Sequence, residues 1–405
     1  MEEVRSYALK VLKRVFADHG YAALIMRGNM PLAPLDRAFA SELIYGTIRN
    51  YTLLEKQWRL YTNGKRVKRR TALLLDMSTY QLFFMDKVPD YAVLHAANDL
   101  ADPHEKGFVN AVLHKVLDAG LQTDLDPAVR YSHPAWLVDL WQAHYGNETA
   151  LKILAADQTP SQMYGRINTL RCTRVELEER YTFVNDVSFK AEGALQHEDV
   201  FQEGKVLIQD IHSAFVAPLL AAEPGMKVLD ACAAPGTKTQ QIAMMMENKG
   251  DITACDLYEA RCMLIDELMQ RTGVDIVHTK ACDATVDGNF AAESFDRILL
   301  DVPCSGLGDL SHKPEIRWHV RPEDLDVIIK TQRAILETNA GYLQKGGIMV
   351  YSTCTLNRKE NEGQIAAFLK RHEEFVLRME RTWFPFEDGG DGFYAAVLVK
   401  EGSRD

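Results

Sequence analysis

Apolar residues recur along this chain with two different periods, and the change of period divides it. Val4, Ala8, Leu9, Val11, Leu12 and Val15 fall on one stripe of a helix, and residues 38–51, 71–84, 91–100 and 107–119 repeat that spacing. No strand-type alternation competes there, so residues 1–130 are expected to be all-helical. Residues 131–203 change character. They open with a helix up to Gly146, then offer one strand over 165–171 and one helix over 174–181 among polar loops, which predicts a connector and a small α/β insert. In residues 204–405 short apolar runs alternate with helical stretches: strands at 228–231, 252–256, 276–281, 295–302 and 348–352, helices at 238–247, 259–271, 324–343 and 360–371. Such alternation predicts a parallel sheet with helices on both faces. In sheets of that kind ligands bind at the C-terminal strand ends, so the residues just after each strand are the ones to read for chemistry.

The first of these strands runs into DACAAPGTKT at 230–239, a loop with almost no side-chain bulk that opens a helix capped by Thr237 or Thr239. Backbone N–H groups in such a loop approach a ligand closely, and the helix N-terminus adds partial positive charge. The next strand ends in Asp256, where a nucleotide fold places the carboxylate that takes the ribose hydroxyls. The glycine fingerprints for a pyrophosphate and for a phosphate loop are both absent. A ribosylated ligand without a pyrophosphate is therefore expected, S-adenosylmethionine being the obvious one, held by Cys232, Ala233, Ala234, Pro235, Gly236, Thr237 and Lys238. Three further strand ends carry polar groups: Asp283, Asp301 and Cys354. One strand-end acid is commonplace because Asp caps helices, but three in succession favour a ligand. Asp256 would take the ribose, Asp283 the adenine edge, and Asp301 would touch the cofactor while facing the reacting centre.

Composition narrows the setting. At 405 residues two or three domains are expected, and 47% apolar content is globular. No run of about 18 apolar residues occurs, and the first residues lack the basic-then-apolar order of a signal peptide, so a soluble cytoplasmic protein is expected. The net charge of −11 excludes a uniformly cationic surface. One segment runs against it: residues 59–70 contain Arg59, Lys65, Arg66, Lys68, Arg69 and Arg70 and no acid. It reads either as a solvated loop or as a phosphate-binding loop for RNA, with Lys65, Arg66, Lys68, Arg69 and Arg70 as the contacts and Trp58 and Tyr61 beside them. The seven cysteines form no Cys-x-x-Cys pair and no zinc spacing, so free thiols and no metal are expected. Cys232, Cys255, Cys262 and Cys282 lie in or beside apolar runs, where a free Cys is usually a small buried hydrophobe. Cys304 and Cys354 instead follow their strands among Pro, Ser, Gly and Thr, where a lowered pKa would make a nucleophile.

Four of these stretches, DACAAPGTKT at 230–239, DVPCSGLG at 301–308, KPEIRW at 313–318 and STCT at 352–355, resemble the motifs of the RNA cytosine-5 methyltransferases of the Nop2/Sun type. The N-terminal part is similar to the NusB-type helical domain of one bacterial branch, in DRAFA at 36–40, LIYGTIR at 43–49, KGFVNAVL at 106–113 and SHPAWL at 132–137. The resemblance covers nearly the whole chain. It implies a multidomain protein with a NusB-like domain at 1–130, a connector and small α/β insert at 131–203, and a Rossmann-like class I methyltransferase domain at 204–405. It implies S-adenosylmethionine as cofactor, 16S ribosomal RNA of the small subunit as partner, a monomer, and no membrane or metal. Two positions depart from the family pattern: Thr237 stands where a second Gly is usual, which reduces backbone freedom, and Glu315 replaces an Asp on an expected substrate loop.

The resemblance also assigns roles. Cytosine C5 is too electron-poor to take a methyl group directly, so a thiolate, by resemblance Cys354, adds to C6 and makes C5 nucleophilic. Asp301 would protonate the N3 side of the ring, and Cys304, or a base it places, would serve the loss of the C5 proton. The target base must be single-stranded or turned out of its stack. An RNA-binding assembly factor with a vestigial methyltransferase domain is the alternative, which intact Cys304, Cys354 and the three acids disfavour. A nicotinamide-dependent oxidoreductase fails on the missing fingerprint.

Overall fold

The computed structural model describes residues 2–27 and 33–401. The chain forms two compact units: Met1–Thr159 with Leu310–Val320, and Pro160–Asp309 with Arg321–Asp405.

The first unit is helical throughout its described residues, with seven helices up to Ala119: Glu2–Ala17, Ala22–Arg27, Pro34–Arg49, Tyr51–Arg59, Arg69–Phe84, Asp90–Leu100 and Lys106–Ala119. The stripe from Val4 to Val15 is buried in one core with Leu43, Ile44, Trp58, Leu74 and Val112. Every residue from Thr71 to Gln81 is buried, so the helix Arg69–Phe84 is packed on all sides. The unit runs past residue 130 to take in the helices Ala135–Tyr145 and Asn147–Ala156.

It also takes in the segment around KPEIRW, and the expected substrate loop is corrected here. Glu315 is 1% exposed and Arg317 0%. Ala22 N donates to Glu315 Oε1 at 2.8 Å, Arg317 donates to Ser132 O at 3.1 Å, and Trp318 Nε1 donates to Ile48 O at 3.1 Å. Glu315, Arg317 and Trp318 thus bond backbone groups of the helical core and serve the fold, while Lys313 stays exposed.

In the second unit a four-stranded antiparallel sheet comes first: β1 Tyr164–Ile167, β2 Thr182–Phe183, β3 Ser188–Lys190 and β4 Val206–Ile208, in the order β2-β3-β1-β4. The helix expected at 174–181 is a series of turns, with Leu177 N bonded to Arg174 O and Tyr181 N to Leu177 O, both at 2.9 Å. Of residues 174–180 only Leu177 is buried, and one anchor does not offset the cost of starting so short a helix.

The large sheet contains β5 Lys227–Asp230, β6 Asp251–Asp256, β7 Val277–Ala281, β8 Phe295–Asp301, β9 Leu343–Thr353, β10 Phe375–Trp383 and β11 Phe393–Lys400. Its order is β10-β11-β9-β8-β5-β6-β7. The five strands from β7 to β9 are parallel, as expected, but β11 runs antiparallel to β9 and β10 antiparallel to β11. The sheet is therefore mixed, and its last two strands were not expected from the pattern. Alternate residues enter opposite cores: Val228, Leu299 and Val350 on one face, Leu229, Ile298, Leu300, Met349 and Tyr351 on the other. Two covered faces leave the strand ends as the open edge.

Candidate active site

At the end of β5 the small-residue loop turns under its own hydrogen bonds. Ala233 N donates to Cys255 O and Gly236 N to Ala233 O, both at 2.7 Å. Gly236 has φ of +100°, and a Cβ there would come within 3.2 Å of Ile265 Cγ2. Thr237 is already the first residue of the helix Thr237–Met245, so the left-handed requirement ends at Gly236 and the departure at Thr237 costs no backbone freedom. Neither threonine caps that helix. Thr239 Oγ1 turns inward and donates to Asp230 Oδ2 at 2.7 Å.

Asp256 lies against this loop: its Oδ2 accepts from Ala234 N at 3.3 Å and its Oδ1 is 3.3 Å from Arg261 Nε. Asp283 is turned to a local task. Exposed at the end of β7, it accepts from Thr285 Oγ1 at 2.6 Å and Thr285 N at 2.9 Å, bonds that hold its carboxyl below the ordinary value. The cofactor fits the residues present. Asp230 Oδ1 is buried without a partner, Gly236 takes a left-handed turn where a Cβ would crowd Ile265, and the Asp256 carboxylate faces the loop backbone. Burial raises the Asp230 carboxyl to about 7, against the opposing pull of the Thr239 hydroxyl.

The ends of β8 and β9 carry the groups expected to react. Asp301 accepts from Lys238 Nζ at 2.6 Å and from Ser352 Oγ at 2.8 Å. Burial works against the Lys238 charge, yet the charge and hydrogen bond of Asp301 outweigh it and hold the ammonium above its ordinary value. Lys238 was expected among the cofactor contacts, and its partnership with Asp301 has no signal in the sequence. The sulfurs of Cys304 and Cys354 are 3.3 Å apart. Its hydrogen bond to Cys354 and then its burial push the Cys304 thiol well above the ordinary value. The other four cysteines singled out as packing residues do pack: Cys255 and Cys262 are buried, and half-buried Cys232 and Cys282 lie against the core.

Two more buried residues hold this edge together and were missed. Glu360 joins the two cysteine loops through Ser305. Arg166 on β1 donates to Gln209 Oε1 at 2.5 Å, Gln240 Oε1 at 2.6 Å and Thr237 O at 3.2 Å, tying the small sheet to the start of the loop's helix. Among the described residues no acid pairs with Arg166, and burial lowers it to about 9.

On the helical unit the five cations expected at RNA are all exposed. Acids distant in sequence reach some of them: Lys68 Nζ is 3.4 Å from Glu105 Oε1 and Arg70 Nη1 is 3.2 Å from Asp102 Oδ1. Arg69 donates to Tyr51 Oη at 2.8 Å and lies over the Phe16 ring. Lys65 and Arg66 pair with no acid among the described residues. No helix of the described residues is long and apolar enough to cross a membrane.

Three family models match the chain: 16S rRNA methyltransferase RsmB/F over residues 217–399, the NusB family over 2–118, and an RsmF/B-like ferredoxin-like domain over 133–182. A probable ribosomal RNA small subunit methyltransferase B of Bacillus subtilis is 34% identical, covering 98% of this chain and 99% of the relative. The ribosomal RNA small subunit methyltransferase B of Vibrio cholerae is 33% identical, covering 98% of each. Among solved structures, PH0851 superimposes with a TM-score of 0.81 at 23% identity over 98% of each chain. NSun6 from Pyrococcus horikoshii, solved with SFG, gives 0.61 at 21% identity over 67% of this chain and 99% of its own.

Proposed function

Because the chain belongs to the 16S rRNA methyltransferase RsmB/F family and uses S-adenosylmethionine, we propose that it methylates C5 of a cytosine in ribosomal RNA of the small subunit through a covalent adduct to Cys354. The observation that carries this reading is the pair of sulfurs 3.3 Å apart beside the Lys238–Asp301 ion pair. One thiol can add to C6 while the second serves release.

Cys354 adds to C6 as the thiolate, with the Cys304 sulfur 3.3 Å from its own. The electron pair of the C5–C6 double bond moves toward N3, and the Lys238–Asp301 pair, which holds a proton between Nζ and Oδ2, protonates the ring there. When bound, S-adenosylmethionine supplies the electrophilic methyl group that the activated C5 takes. The C5 proton then leaves to a base that Cys304 places; the C5–C6 double bond re-forms, Cys354 is expelled, and N3 returns its proton to the ion pair. The loop at Cys232–Lys238 and the Asp256 carboxylate hold the cofactor, with Asp283 at its adenine edge. The exposed cations at Lys65, Arg66 and Arg69 meet RNA phosphates, and Lys68 and Arg70 do so less because their charge is partly cancelled.

The test separates the two thiols. Cys354→Ala should abolish methylation and every adduct. Cys304→Ala should leave attack and methyl transfer possible but accumulate a protein–RNA complex that survives denaturing electrophoresis. An adduct that builds up in Cys354→Ala would reverse the assignment. If neither change affected turnover and wild type formed no adduct, the thiol mechanism would be lost.

A further inference from the structure

Each reactive cysteine stands between two residues that one buried network holds. Glu360, 0% exposed, is its hub. Glu360 Oε1 accepts from Ser305 Oγ at 2.6 Å and Asn357 Nδ2 at 2.9 Å; Oε2 accepts from Ser305 N and Gln332 Nε2, both at 2.9 Å. All four partners are donors, and no cation pairs with the group among the described residues.

From this hub the network reaches both loops. Gln332 Nε2 also donates to Pro303 O at 3.0 Å, so the residues on either side of Cys304 are both tied down. Ser305 gives its one hydroxyl proton to Glu360, so Thr355 Oγ1, 2.7 Å away, must donate to Ser305 Oγ. Asn361 Nδ2 donates to Thr355 O at 2.8 Å and Thr353 Oγ1 to Asn361 Oδ1 at 2.6 Å, which ties down the residues on either side of Cys354. The backbones then meet directly: Gly308 N donates to Cys354 O at 3.1 Å, and a Cβ on Gly308 would come within 1.9 Å of Gly392 O.

We propose that Glu360 is a positioning residue that sets the distance between the sulfurs of Cys304 and Cys354; its weight in turnover rests on the thiol mechanism above, while its geometry does not. A buried carboxylate without a cation is a poor source of stability, since apolar replacements of buried charge are often neutral or better. Its value here is registry. Four donors converging on one rigid acceptor leave the two loops a single relative placement, and a nucleophile and its partner thiol lose rate steeply with small displacements.

Glu360→Gln keeps the shape but turns a donor amide on two of the four donors. Purified protein without RNA is treated with diamide, which takes two electrons and two protons as the thiols become a disulfide, and the Cys304–Cys354 link is located by peptide mass mapping. The link should form about tenfold more slowly in the variant, the factor that corresponds to about 1.4 kcal/mol, within the range for unmatched buried donors. Alkylation of Cys282 should stay at the wild-type rate, and kcat should fall with KM for S-adenosylmethionine unchanged. Thr355→Val, which removes the bridging hydroxyl alone, should shift the same readouts in the same direction by less, and it decides the matter if Glu360→Gln does not fold. Wild-type disulfide formation in a folded variant would overturn the proposal. A slowed disulfide with unchanged methylation would leave the positioning role standing and sink the thiol mechanism instead.

Discussion

At the strand ends of the sheet each reactive group has a partner that tunes it; on the helical unit the cations of residues 59–70 lie in water, and acids from elsewhere cancel part of their charge. Lys238 is 10% exposed and bonded to Asp301, whereas Lys68 is 60% exposed and its contact with Glu105 spans 3.4 Å. The same charge pairing therefore has two meanings. A desolvated pair can move a proton and is costly to break, while exposed pairs contribute about 0–1 kcal/mol and act mainly through the local field.

The largest effect should come from breaking the buried side. Asp301→Asn removes the acid from the Lys238 pair and should lower kcat by about 10²- to 10⁴-fold, the usual range for a general acid; a fall in cofactor affinity with kcat intact would move Asp301 to a binding role. Next, Asp256→Ala should weaken S-adenosylmethionine binding by about 1 to 3 kcal/mol in titration calorimetry, because loop groups lose a buried acceptor. Equal affinities would remove Asp256 as the ribose ligand.

A pH measurement sharpens the same side. Burial raises the Asp230 carboxyl from its ordinary 3.8 to about 7, so the folded chain holds a proton that the unfolded chain has lost. The contribution of this group to stability is then greatest in acid, declines as pH rises from about 4 to about 7, and is fully lost above that window. Without cofactor, the melting temperature of Asp230→Asn relative to wild type should therefore rise between about pH 5 and about pH 8. A difference that does not change with pH would show that the carboxyl does not titrate there.

The smallest effect is on the exposed side, and it divides the cations. Reversing Lys65 and Arg66 to Glu should lower the salt slope of RNA binding by about 1.4, at about 0.7 per single-strand phosphate contact. Neutralising Lys68 and Arg70 to Gln should lower it by less, because Glu105 and Asp102 already offset them. Equal losses would mean that these acids release their cations when RNA arrives.

Sequence by itself determined the helical stripe of Val4 to Val15, the five parallel strands with their connecting helices, the small-residue loop, and the placing of acids and thiols at the strand ends. Those features are local: they depend on apolar period, on turn residues, and on neighbours within a few positions. The antiparallel β10 and β11 were not legible, because an edge pair is recognised by what it pairs with. KPEIRW was legible as a motif but not as part of the helical core, since nothing in six residues shows that Ala22, Ile48 and Ser132 will meet them. Only the tertiary structure brought Cys304 within 3.3 Å of Cys354 across fifty residues, bonded Lys238 to Asp301, and put Glu360 between the two loops. Distance, burial and the balance of donors against acceptors arise from contacts remote in sequence, and they decide which of several strand-end groups can act together.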